Sequence, residues 1–542
     1  MMAKVLKSQN GVATLIALIM MTMLTLIGLA ALNTSDDEVS IAGNELHEMQ
    51  SFYASEAGLD AASAIIQRNY DTTSVPPSTM PTGTMYINNS NVTFSSTDNG
   101  AATQEILTTG TLSGLHSLVK SFTISATGTS TIDNSKVVLS QVFQVALVPI
   151  FQFAVFYGND LEIAPGPDMT LIGRVHSNGN LWVQSNNNLK MDSYVTASGD
   201  ILHGRKGPGG AGGGDVFIKD ATGTYVSMKE GAGWLDANDN YWYDSSTARW
   251  NGRLQDGSHG QQALNLPLNT TNGEAHLLIE RETGNPDSYE SKATIKFIDG
   301  QGYVKIGGIW SNVTADMVSK GIIKYTANKF YDGREGQWVD VTDLDVGKLY
   351  DNGYAPSNGV IYAADAIGSG EFPALRLKNA SEIDYPLTIV SQNPVYIMGG
   401  FNSVNKKPAA IIGDAVTFLS TAWNDANSSL ALSSRTANTS TVNASIMTGN
   451  VETTSSNYSG GLENLPRFLE NWSGKNFNWM GSMVNLWTSQ QAIGRWNGTY
   501  YSPPNRDWAY DTALNDPANL PPQSPAVRVF QRVGWKQDNV GI

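Results

Sequence analysis

The chain has 542 residues and no cysteine, which excludes disulfides, thiol nucleophiles and Cys-ligated zinc or iron–sulfur sites. Its length exceeds one ordinary core and implies several structural units. A net charge of −15 without any Lys/Arg run excludes a phosphate-tracking nucleic-acid surface, and 41% hydrophobic content with 13 Trp excludes a disordered chain.

The chain starts with a short polar segment carrying Lys4 and Lys7 and ending at Gly11. From Val12 to Ser35 no residue is charged, and most are apolar. About 20 such residues span a bilayer core as a helix. Asp36, Asp37 and Glu38 follow, so positive-before and acidic-after predicts a cytoplasmic N-terminus with the body outside. A cleaved signal peptide, a plain signal anchor and a prepilin leader cut after Gly11 all fit such a start. Past Asp36 the chain still reads as helix. Val39, Ala42, Leu46, Met49, Tyr53 and Ala57 recur at three- and four-residue spacing, which predicts an apolar stripe packed on the protein's own body. A loosening or restart is expected near Asn33 to Ser35.

These segments carry a family resemblance. The leader ending in Gly11, the apolar run, IAGN at Ile41–Asn44 and FYASEAGLDAA at Phe52–Ala62 resemble the N-terminal region of PilX-type minor pilins, and are similar to K-type minor pseudopilins. The resemblance implies processing between Gly11 and Val12 by a prepilin peptidase, and packing against other pilin or pseudopilin subunits through the first half of the helix, with Ile16, Leu18, Leu24 and Leu26 as candidates. Major pilins carry a Glu at the position that Ile16 occupies here, so the resemblance is to a minor subunit, placed at a filament tip or acting in priming.

Helical periodicity stops at Asn69, and Pro76-Pro77 marks a linker. The alternation in SFTISATGT and QVFQVALV, between Tyr86 and Val148, predicts an antiparallel sheet beside the helix. From Phe151 the texture changes to very short strands separated by Gly, Asn and Asp, with the spacing of stacked β-solenoid rungs. It returns at 385–454, which predicts one solenoid interrupted by a β-rich insertion. The expected organisation is a leader (1–11), a transmembrane helix (12–35), an amphipathic extension (36–68), a pilin-like sheet (69–150), solenoid (151–202), insertion (203–384), solenoid again (385–454) and a capping region (455–542). The fold class is α+β, mostly β.

The insertion opens on a Gly-rich loop with no Gly-Lys-Ser/Thr, so it is not a phosphate loop. Asp236, Asn238, Asn240 and Asp244 have the odd spacing of an oxygen-ligand calcium loop. Tyr241 and Thr247 stand where such a loop needs Gly and Glu, and a turn-rich hairpin tip is the plainer reading. Apart from this candidate calcium site no cofactor is expected. Trp234, Trp242 and Trp250 are candidates for a glycan-stacking platform, against ordinary core packing. His176 reads as a turn or ladder residue. In the C-terminal region GGLENLPRFLENW (460–472) and SPPNRDWAYD (502–511) also resemble segments of large PilX-type proteins, and Leu465–Trp472 is a candidate short helix.

Catalytic signatures are missing. Gly-x-Ser-x-Gly does not occur, His47-Glu48 lacks a second His, and the six His are scattered. Asp340, Asp343 and Asp345 are the nearest thing to a polysaccharide-cleaving carboxylate set, and read as a strand edge. The expectation is a non-enzymatic minor pilin-like subunit, anchored in the inner membrane and then displayed on a filament for assembly or adhesion, with surface glycans as possible ligands. The alternative is an envelope-anchored carbohydrate-binding or carbohydrate-active β-helix protein.

Overall fold

A computed structural model describes residues 6–538 apart from 208, 209, 211, 269–273, 282–284, 369, 455–457 and 497–498. The first five residues of the expected leader, and part of the Gly-rich loop, lie outside the described residues. The fold is α+β and mostly β. It divides into two units, one holding residues 1–102, 120–145 and 530–542, the other 103–119 and 146–529.

The first unit is built on one α-helix, Leu6–Thr73, of 68 residues, about 100 Å long at ~1.5 Å per residue. It runs unbroken through Asn33–Ser35, where a loosening was expected. Ser40 Oγ donates to Asp36 O, and Thr34 Oγ1 to Ala30 O, so these polar side chains bond to their own helix instead of opening it. The helix lies on an antiparallel sheet. Thr82–Ile87 and Ser90–Asp98 form a hairpin whose two turn residues, Asn88 and Asn89, both have positive φ, as a two-residue hairpin turn requires. Ser90–Asp98 pairs with His116–Ser130 in register Ser90↔Ser130. Lys136–Pro149 follows, and Ala526–Asp538 is the strand beyond it.

The face of the helix that packs is not the expected one. Val39, Leu46, Met49 and Tyr53 stay at least half exposed. The buried row is Ser51, Ala54, Ser55, Gly58, Leu59, Ala62, Ser63, Ile66 and Tyr70. Leu59, Ala62, Ile66 and Tyr70 meet Phe94, Phe122, Ile124, Val137, Leu139, Phe143 and Val145 from the sheet. Small residues lead the row because the sheet comes close there. A Cβ on Gly58 would lie 2.8 Å from Val92 Cγ1, and one on Gly128 would lie 2.3 Å from Ser51 O. Ser55 Oγ accepts from Gly128 N at 2.7 Å. Gly58→Leu is therefore expected to destabilise this unit by about 1–3 kcal/mol. Gly43→Ala, with nothing within 4 Å, is expected to stabilise it by up to about 1 kcal/mol. Thermal unfolding of both variants checks the pair.

In the second unit, three short strands repeat and stack in parallel. Val155, Val175 and Val195 are register partners, as are Leu161, Leu181 and Ile201. The stacking order departs from the chain order. One inward row runs Ile295, Ile361, Ile389, Ile411, Ile446, Met483, Val155, Val175, Val195, Leu254, every step parallel. The chain thus enters the coil in the middle, builds to one end, crosses to the other and builds back until Met483–Asn485 meets Val155–Tyr157.

This corrects three expected boundaries. Residues 203–384 are no separate insertion, since Asp215–Lys219, Leu254–Gln255, Ile295–Ile298, Val360–Ala364 and Pro373–Lys378 are strands of the stack. Residues 455–542 are no cap. Pro466–Phe468, Asn476–Gly481, Met483–Asn485 and Asn505–Tyr510 are further strands, and the chain from Phe530 belongs to the first unit. Pro466–Phe468 also falls where a short helix was expected. The crossing chain covers the outer face of the long sheet, where Leu278, Ile279 and Tyr289 are buried with Tyr362, Val390, Ala410, Ile412 and Val484. Tyr362 Oη donates to Ile279 O at 2.9 Å.

Candidate functional site

The N-terminal half of the helix is the surface that the rest of the described fold does not explain. Ile16, Leu18, Leu24 and Leu26 are 48–68% exposed, and Val12 is 54% exposed. An uncovered apolar surface of this extent marks a membrane or protein contact. The helix suits a bilayer in a second way, because its hydroxyls are satisfied within it. Thr14 Oγ1 donates to Gly11 O, Thr22 Oγ1 to Leu18 O and Ile19 O, and Thr25 Oγ1 to Met21 O. Hydrocarbon supplies no partner, so polar groups must bond internally. Among the described residues, this is one helix long and apolar enough to cross a membrane.

Between Asp36 and Gln50 the helix stays exposed or half-exposed on all sides, with Val39, Ile41, Leu46 and Met49 beside Asp36, Asp37, Glu38, Glu45 and Glu48. His47 Nδ1 lies 3.2 Å from Asp133 Oδ2. From Gly11 to Leu46 the helix is thus uncovered, His47 makes a first tie at Asp133, and the sheet holds it from Ser51 onward. Gly11 sits inside the helix, and nothing would crowd a Cβ there.

The expected glycan platform does not form. Trp242 and Trp250 are 4% and 0% exposed in the core. Trp242 Nε1 donates to Asp256 Oδ2 at 2.6 Å and Trp250 Nε1 to Val226 O at 3.2 Å. Trp234 is half-buried, stacked on the His203 imidazole at 3.5 Å. The cause is a nine-residue helix, Trp242–Trp250, where a hairpin tip was expected. It turns both indoles inward and ends on Asn251 in the left-handed region.

The same helix separates the candidate calcium residues. Asp236 is buried, with Oδ1 accepting from Asn238 N and Oδ2 from His203 N, while Asn238 and Asn240 point to solvent and Asp244 lies in the helix's first turn. Among the described residues no three His, Asp or Glu side chains gather in a metal-holding cluster.

Other polar candidates are structural. His176 is buried between Phe153 and Phe156, with Nδ1 at 2.8 Å from Thr196 Oγ1 and Nε2 at 2.9 Å from Asn178 Oδ1. Burial pushes its pKa down to about 4, so it stays neutral. Asp345 caps the short helix after it by accepting from Lys348 N, and Asp340 accepts from Asn328 N. Asp343 forms an ion pair with Arg376, a residue 2% exposed, which also binds Asp425. Sequence reasoning passed over two buried carboxyls, Glu162 and Glu463. Their only local signal is a charged residue inside an apolar rung.

No protein-family model matches the chain, and no curated protein matches it. Among solved structures it is similar to the competence-associated pilin ComZ from Thermus thermophilus. That match has 13% identity, covers 90% of this chain and 97% of that one, and has a TM-score of 0.27.

Proposed function

We propose that the chain is a minor, non-enzymatic, pilin-like subunit of a type IV pilus or related filament, held in the inner membrane by its helix before assembly. The observation that carries this reading is the helix itself. It is uncharged over Val12–Ser35, self-satisfied in its threonine hydroxyls and uncovered there, and then continues without a break into a face packed on an antiparallel sheet. A membrane anchor alone needs only the first part. The uncovered stretch from Asp36 to Gln50 fits lateral packing against helices of neighbouring subunits, where Ile16, Leu18, Leu24 and Leu26 would lie as well.

Ile16 in place of an acidic residue, and a second unit that holds most of the chain, favour a tip or priming position over repeated insertion along a thin filament. Trp242 and Trp250 lie in the core, which takes two of the three candidate indoles from the carbohydrate-binding alternative. The test is processing and co-assembly. N-terminal sequencing is expected to find Val12 first in the parent, and to find the leader retained in Gly11→Val. The parent protein is also expected in sheared filaments. A parent chain that starts elsewhere, or that never copurifies with filaments, overturns the proposal.

A further inference from the structure

The coil has a seam where its last-built rung meets its first. Among the described residues only one of the three stacked strand rows crosses it, where Met483–Asn485 pairs with Val155–Tyr157. The row ending in Pro466–Phe468 and the row beginning at Leu161–Ile163 belong to different sheets. Between those two rows a side chain replaces the missing ladder. Glu463, on the turn Leu462–Asn464, reaches the strand end 299 residues earlier, and its Oε1 accepts from Ala164 N at 2.9 Å.

A second buried carboxyl stands on the other side. Glu162 is 4% exposed, and its Oε2 accepts from Lys206 N at 3.0 Å. A cavity of about 40 Å³ opens beside it, lined in part by Tyr157, Asp160, Lys206, Glu452 and Trp487. Tyr157 Oη is buried there without a hydrogen-bond partner among the described residues.

The charges around the two carboxyls offset their burial only in part. Lys206 Nζ is held by Asp160 and Glu452, both at 2.8 Å. Arg205 faces Glu162, and Arg506 faces Glu463 while donating to the Glu463 backbone carbonyl at 3.2 Å. Tyr458 and Tyr157 are the remaining titratable neighbours, and burial raises both hydroxyls so that they stay neutral. Glu162 and Glu463 repel one another when both are ionised.

We propose that the seam is a proton-operated closure of the coil, tight while a proton remains on the Glu162–Glu463 pair and loosened when both carboxyls are ionised. Burial pushes Glu463 up to about 7 from an ordinary 4.5, and raises Glu162 as well. The closed seam then holds a proton that an open seam releases. Closure is strongest below the ordinary carboxyl range, weakens as pH climbs from about 4.5 to about 7, and levels off above that. One such group makes the opening equilibrium rise on the order of 50-fold between pH 5 and pH 8. A compartment that acidifies or neutralises around the protein would therefore change how readily this seam opens.

The experiment is hydrogen exchange on the full chain in detergent micelles between pH 5 and pH 8, corrected for intrinsic rates, with the parent, Glu463→Gln, Glu162→Gln and Glu470→Gln. Glutamine keeps the oxygens that accept from Ala164 N and Lys206 N. Glu470 is a buried carboxyl of raised pKa on the seam's own rung, but its oxygens accept from Ser420 N and Oγ on the rung behind it and make no bond across the seam. In the parent, amides of 155–164 and 462–485 are expected to lose protection as pH rises, while the Ala409–Gly413 strand does not. Glu463→Gln and Glu162→Gln should flatten that profile, and Glu470→Gln should keep it. If Glu463→Gln fails to fold, Glu162→Gln carries the test. A seam that is indifferent to pH, a loss spread evenly over the coil, or a parental profile in both seam variants overturns the proposal.

Discussion

Replacing Arg376 with methionine is expected to cost about 3–5 kcal/mol, the range for breaking a buried ion pair by removing one partner. Arg376 is 2% exposed and binds two carboxylates. Its Nε and Nη2 donate to the oxygens of Asp343 at 2.7 and 3.0 Å, and its Nη1 and Nη2 to those of Asp425 at 2.6 and 3.2 Å. Burial by itself would lower the Arg376 pKa, and the two carboxylates more than reverse it. Burial likewise pushes Asp425 up, and Arg376 outweighs that and holds it down. Without the guanidinium, Asp343 keeps Lys378 at 3.3 Å and Asp425 keeps Lys329 at 3.3 Å, both half-buried lysines that offer a point charge in place of a fork. Denaturant unfolding measures the loss. Adding Asp343→Leu and Asp425→Asn should recover part of it, because the uncompensated charges leave with their partner. A loss under about 1 kcal/mol for the single variant would show that the network contributes little to stability.

Ending the chain at Val529 is expected to destabilise the first unit by at least about 3 kcal/mol, the scale of removing one aromatic from a core. Phe530 stacks on Phe143 with ring centroids 5.9 Å apart and meets Tyr70 edge-on at 6.4 Å. Trp535 packs edge-on against Phe52 at 5.8 Å. Arg532 pairs with Asp60 at 2.6 Å, but that pair is exposed and adds little. The truncation also leaves Lys136–Pro149 as a long uncovered sheet edge, which promotes edge-to-edge association. Exchange protection is expected to fall at Phe122 and Ile124 while the inward row at Ile389 and Ile411 keeps its own. Unchanged protection at Phe122 would mean that the sheet does not depend on the strand returned from the C-terminus. Phe530→Ala should reproduce part of the loss.

Both predictions rest on contacts between residues far apart in the chain, and these are what a linear reading misses. The apolar run from Val12 to Leu32 is legible without a structure, because crossing a bilayer demands that consecutive residues be apolar and that the helix satisfy its own backbone. The hairpin at Asn88-Asn89 and the alternating strands after it are legible for the same local reason. The packing face of the helix is not. Periodicity points to Val39, Leu46, Met49 and Tyr53, while the sheet takes the small row of Ser51, Ser55 and Gly58, since which stripe is covered depends on what comes near it.

The second unit divides in the same way. Short strands broken by Gly, Asn and Asp announce stacked rungs, because each rung repeats the same local alternation. That sameness hides their order. Ile446 accepts Met483 as a neighbour, and Met483 accepts Val155, on the strength of shape and apolarity that every rung shares. Trp242 and Trp250 likewise read as an aromatic surface or as a core until the helix between them turns both inward. The sequence alone determines the membrane-length helix and the repeating rungs, since solvent and backbone geometry act on neighbouring residues. The tertiary structure decides which helix face is covered, where the coil closes and which carboxyls are buried at its seam, because those depend on partners hundreds of residues away.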